Sequence, residues 1–282
     1  MKQNLQEKKE KQKDCIKSKY FFFNIINNEK EINIKVGNNK FFYDKLIQLI
    51  IIYLLITKSK EDYTNEVTLT INGIGNQSIL WDVFYRNYQP NVILVNEINY
   101  ANINFYIIIN ENTKINKVTI KWNKIIEYCD GIFAGYNNIT QIDFSKFDTS
   151  YCKTMRWVFC DCYYLTSLDL SHFDVSLVQG MDAMFKNCIS LTSLDLSNFD
   201  TSSVITMVDM FGYCKNLKTL IVNRINTSKV NTMRGMFEGL YNLTSLDISN
   251  FDTSLVTDIS YMFQNCYELT EINLSNFITN KV

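Results

Sequence analysis

A motif that returns at a fixed interval governs the second half of this 282-residue chain and sharply limits what it can fold into. Residues 165–173 (LTSLDLSHF) return at Leu191 (LTSLDLSNF), Leu217 (LKTLIVNRI), Leu243 (LTSLDISNF) and Leu269 (LTEINLSNF). A looser copy starts at Ile139 (ITQIDFSKF), and no step contains an insertion or deletion. Residues 139–282 therefore hold five full units and the first 14 residues of a sixth. Units this short cannot bury their own apolar faces and must stack on one another.

Within one unit, Leu194, Asp195, Leu196 and Ser197 alternate apolar and polar, which predicts a short strand. Val204, Met207, Phe211 and Cys214 follow at steps of three, four and three, the spacing of one helix face. Between them Asp200, Thr201 and Ser202 offer oxygens for a turn or a helix N-cap. The expected fold is thus an α/β repeat solenoid, with one parallel strand and one short helix per 26-residue coil.

The unit L-x-x-L-x-L-S-x-F-D-T-S-x-V-x-x-M-x-x-M-F-x-x-C resembles the leucine-rich repeat of the BspA-like surface proteins. The likeness covers residues 139–282, and Cys129-Asp-Gly-Ile-Phe133-Ala-Gly-Tyr136 is similar to the second half of a preceding unit. The resemblance implies a leucine-rich-repeat architecture and a surface or secreted protein with an adhesive, non-enzymatic binding role. Periodicity by itself supports only the stacking.

Residues 1–45 form a basic segment whose first 20 residues, rich in Lys, Glu and Gln, read as a disordered tail. Residues 46–60 are signal-like: the run 46–56 (LIQLIIIYLLI) is uncharged but too short for the roughly 20 residues of a membrane span. It reads either as a signal-type or membrane-associating segment or as a buried core element. Residues 61–128 contain alternating runs at 67–71, 92–95, 104–109 and 117–122, the makings of a β-rich N-terminal cap on the repeats at 129–282. Gly73-Ile-Gly75 lacks the third glycine of a dinucleotide fingerprint and reads as a turn. Val282 falls at the turn valine of the sixth unit, which reads as a truncated last coil.

Charge is balanced overall at −1, which gives no general attraction for nucleic acid, but residues 139–282 carry 15 acidic against 10 basic side chains. With 46% hydrophobic residues, disorder of the whole chain is excluded. The outward strand positions form two rows, Asp143, Asp169, Asp195 and Asp247, and Ser145, Ser171, Ser197 and Ser249. These are the candidate partner-binding residues, facing a protein or glycan. Ile221 and Asn273 interrupt the acidic row, and a solvated face or a cation ladder are the competing readings. A further row, Asp148, Asp174, Asp200, Asn226 and Asp252, accepts Asn and so reads as turn capping.

No cofactor, metal or catalytic site is expected. His172 is the single histidine, and its sister positions hold Lys146, Asn198, Arg224, Asn250 and Asn276, so it reads as exposed surface. Cys162, Cys188, Cys214 and Cys266 share one slot with Leu240, which makes them buried thiols rather than ligands or disulfides. Cys160 and Cys162 point apart. N-x-S/T sequons at Asn76, Asn138, Asn226 and Asn242 permit secretion. The alternative function is an intracellular protein–protein scaffold.

Overall fold

The computed structural model describes residues 20–27, 30–37, 65–72, 75–79, 84, 87–99, 106–109 and 115–282. The 1–19 tail, the apolar run 46–56 and Gly73-Ile74 lie outside the described residues. The chain divides into two compact units, residues 1–62 and 63–282. In the first, β1 (Tyr20–Asn27) and β2 (Lys30–Gly37) form an antiparallel pair running from Tyr20↔Gly37 to Asn27↔Lys30.

In the second unit, β3 (Asn65–Asn72), β4 (Gly75–Ser78), β5 (Val92–Val95), β6 (Ile98–Asn99), β7 (Tyr106–Ile109), β8 (Ile115–Trp122) and β9 (Ile139–Lys146) follow in order. A five-stranded antiparallel sheet has the order β6-β5-β8-β3-β9, while β4 pairs with β7 separately. Alternation dictates its buried face: Val67, Leu69 and Ile71 of β3 and Val118, Ile120 and Trp122 of β8 all point inward. Trp122 joins this core to the first repeat. Its indole N–H donates to the Tyr88 carbonyl at 2.8 Å, and its ring meets Phe84 and Phe147 edge-on, each at 6.1 Å.

The expected α/β leucine-rich solenoid is corrected here. The protein is mostly β, built on the five-stranded antiparallel sheet and a small parallel pair, β10 (Ser193–Asp195) with β11 (Thr219–Ile221). No helix occurs anywhere in residues 123–282. The reason lies in the backbone of the segment that carries the helical spacing. Two residues four apart are left-handed in every repeat: Trp157 and Asp161, Ala183 and Asn187, Asp209 and Tyr213, Gly235 and Gly239, Tyr261 and Asn265. A right-handed helix cannot pass through such positions.

Hydrogen bonding follows suit. Met155, Trp157, Phe159 and Asp161 donate their N–H groups to carbonyls of the next repeat, those of Gly180, Asp182, Met184 and Lys186, at 2.8–3.0 Å. The intervening Cys160 and Cys162 donate back within the repeat, to Trp157 and Phe159. A train of such turns brings Met, Phe and Cys inward every three or four residues, the same spacing a helix gives.

The repeats nevertheless bond each onto the next. Phe133, Phe159, Phe185, Phe211, Phe237 and Phe263 form a row of near-parallel rings with centroids 5.6–6.1 Å apart. Buried Thr149, Thr201, Thr227 and Thr253 clip neighbouring repeats. Each hydroxyl donates to the carbonyl and accepts from the N–H of one residue in the following repeat, as Thr201 does with Asn226 at 2.9 and 2.7 Å. These are buried polar groups with both roles satisfied. Val175 stands at this slot in the second repeat.

Candidate functional site

The outward faces of β3 and β9 continue into the second repeat and enclose a crease of about 410 Å³. Its walls are Thr68 and Thr70 from β3, Lys117 from β8, Gln141, Asp143 and Ser145 from β9, and Ser167, Asp169 and His172 beyond. The pleat sets this lining. Ile142 and Phe144 turn inward, so Asp143 and Ser145 turn out, while a register shift between Thr70 and Ile71 lets Ile139 remain buried as well. Lys146 on the same strand pairs with Glu66 at 3.1 Å, and Lys121 reaches Glu66 at 2.7 Å.

Every member of the acidic row has the same local geometry. Asp143, Asp169, Asp195 and Asp247 each accept the backbone N–H of the serine two residues on, at 2.9, 2.9, 2.8 and 3.1 Å. The two candidate rows are therefore one device: the Ser145, Ser171, Ser197 and Ser249 amides orient the carboxylates. Those backbone N–H bonds hold Asp143, Asp169 and Asp195 below the usual carboxylate range, and for Asp247 the Ser249 hydroxyl contributes most. The row is fully ionised at neutral pH. Asn273 makes the same bond to Ser275 at 3.0 Å, so geometry at this slot needs the oxygen and not the charge.

Asp148, Asp174, Asp200, Asn226 and Asp252 likewise cap turns, each accepting the N–H of the serine two residues later. The structure brings Asp143, Ser145 and Asp169 into the crease and leaves Ser171, Asp195, Ser197, Asp247 and Ser249 along the repeats outside it. His172 sits exposed at the crease. Sequence reasoning missed Thr68, Thr70 and Lys117. The alternation of β3 and β8 marks them as outward, but only the long-range pairing of β3 with β9 places them beside Asp143.

Among the cysteines, Cys162, Cys188, Cys214 and Cys266 each donate a thiol to a carbonyl of the preceding repeat, at 2.9–3.1 Å. Burial pushes the Cys162 and Cys188 thiols far up, which makes them inert. Cys129 and Cys152, which belong to no row, are disulfide-bonded across 23 residues. Among the described residues no group of three or more His, Cys, Asp or Glu side chains is arranged to hold a metal.

A family profile described as "Mycoplasma protein of unknown function, DUF285" matches residues 103–223 and again residues 190–282. No curated protein and no solved structure matches the chain. The resemblance to BspA-like leucine-rich-repeat surface proteins is accordingly corrected: the profile matching these repeats is a different one. Two overlapping copies span most of the sequence, including every member of the acidic row, and the chain belongs to the DUF285 family.

Proposed function

We propose that the protein is a non-enzymatic binding module that holds a protein partner with a basic surface against the row Asp143, Asp169, Asp195 and Asp247. One observation carries this reading. Each carboxylate is exposed, oriented by a backbone N–H and set at the same slot of four stacked units, with Ile221 between Asp195 and Asp247, so the charges are fixed before a partner arrives. Contacts of this kind are individually modest and act through steering and register.

The test is a four-site Asp→Asn variant at positions 143, 169, 195 and 247. Asn226 and Asn273 show that the amide keeps the turn bond, so the fold should survive while the charge goes. Titrating a fluorescent lysine-rich peptide should show salt-dependent binding to the native chain and at least a tenfold weaker interaction with the variant. Equal affinity, or no binding by the native chain at low salt, would sink the proposal.

A surface or secreted setting belongs to this reading. Asn138 and Asn226 are exposed sequon positions. Expression through a eukaryotic secretory pathway should give a glycosidase-sensitive mass, and a secreted chain without glycan would count against it.

A further inference from the structure

Trp157 occupies a backbone position that a bulky aromatic ordinarily avoids. Its φ is +57°, and the matching residues in other repeats are Gly131, Ala183, Asp209, Gly235 and Tyr261. The indole nonetheless remains 41% exposed. The next repeat places only Ala183 at the same slot. A groove of about 540 Å³ opens there, lined by Trp157, Asp161, Ala183, Lys186, Asn187 and Asp209. That volume suits one or two sugar rings better than a protein surface.

The polar rim is already organised. Lys186 pairs with Asp209 at 2.7 Å, and Arg156 pairs with Asp182 at 3.0 Å. The Asn187 amide donates to Asp161 Oδ1 at 2.7 Å, which fixes both planar groups. Lys186, the basic side chain of the lining, is spoken for, so the groove offers no spare positive charge to an acidic ligand. What it does offer is an aromatic face beside hydrogen-bonding oxygens and nitrogens of both polarities. A pyranose matches that set, with C–H bonds on one face and hydroxyls at its edge. We propose that this groove binds a neutral sugar residue, stacked on Trp157 and hydrogen-bonded through its hydroxyls to Asp161 and Asn187.

Cys160, also at the groove, does not turn it into a reactive centre. Burial, helped by the Asp161 charge, pushes its thiol up to about 12, so it stays protonated at neutral pH. The site lies on the turn segment of the repeats and is independent of the acidic row.

The experiment applies the full chain to an array of neutral, sialylated and sulfated oligosaccharides, with Trp157→Gly and Trp157→Leu alongside. Glycine adopts positive φ freely and already fills this slot at Gly131 and Gly235, so Trp157→Gly should melt no lower than the native chain. Neutral glycans should be retained by the native chain, and both variants should bind them at least tenfold more weakly. Retention of acidic glycans alone, no glycan retained at all, or undiminished binding by the Leu variant would each overturn the proposal. So would a Gly variant that melts well below the native chain, because Trp157 would then be a packing residue.

Discussion

Replacing Leu194 with Asp is expected to abolish cooperative folding of the repeats, whereas Asp195→Ala, one residue along, should leave the melting curve nearly unchanged. Leu194 is 3% exposed and pairs with Leu220 of the next repeat in the parallel β10–β11 ladder. A carboxylate there would sit in the core without a cation, at a cost of about 4 kcal/mol or more. Repeats are stabilised by their neighbours, so a defect in the middle also uncouples the units on either side. Asp195 faces water and loses only its turn bond to Ser197, a change within about 1 kcal/mol. Thermal melts followed by circular dichroism separate the two. Equal melting temperatures would mean that the inward and outward assignments of this strand are wrong.

Phe211→Ala should be nearly as damaging by a different route. The ring is fully buried between Phe185 at 5.8 Å and Phe237 at 5.6 Å, within 2° and 3° of parallel. Truncation leaves a cavity in the column of stacked rings that runs through the repeats, at a cost of about 3–5 kcal/mol. The backbone cannot easily relax to fill it, since Phe211 N–H is tied to Met236 at 3.0 Å and the carbonyl of Phe185 receives the Cys214 thiol. Urea unfolding gives the comparison, and a loss under about 1 kcal/mol would show that the stacked rings are not what holds adjacent repeats together.

Much of the repeat organisation was legible because period and polarity are written residue by residue. Leu191, Leu194, Leu196, Phe199, Val204, Met207, Phe211 and Cys214 are all buried, and Asp195 lies outward as alternation requires. The helix was misread because apolar side chains at three- and four-residue steps mark an inward face without stating how the backbone gets there. The missing signal was present in the glycines: Gly131 with Gly135, and Gly235 with Gly239, recur at equivalent slots four residues apart. Such pairs mark two left-handed positions per unit, which no helix interior accommodates. In the other repeats Trp, Ala, Asp, Tyr and Asn stand at these slots and conceal the pattern.

The candidate crease was half legible. Asp143, Ser145 and Asp169 followed from the strand alternation, but their meeting with Thr68, Thr70 and Lys117 depends on β3 pairing with a strand about 70 positions away, as the Thr140 hydroxyl bond to Thr70 shows. Local periodicity carries no information about such partners. The Cys129–Cys152 link escaped for the same reason, because neither residue belongs to the row that made the other cysteines readable.

The ladder in which alternate N–H groups reach a carbonyl of the following unit has a consequence for how this sequence can change over time. One residue gained or lost inside a unit would exchange the inward and outward neighbours of every rung it touches, and both adjoining units would lose their partners. A gain or loss of one full period leaves each surviving rung with an equivalent partner. The array can therefore grow or shrink by duplication and excision of whole units, and lengths between those steps are closed to it.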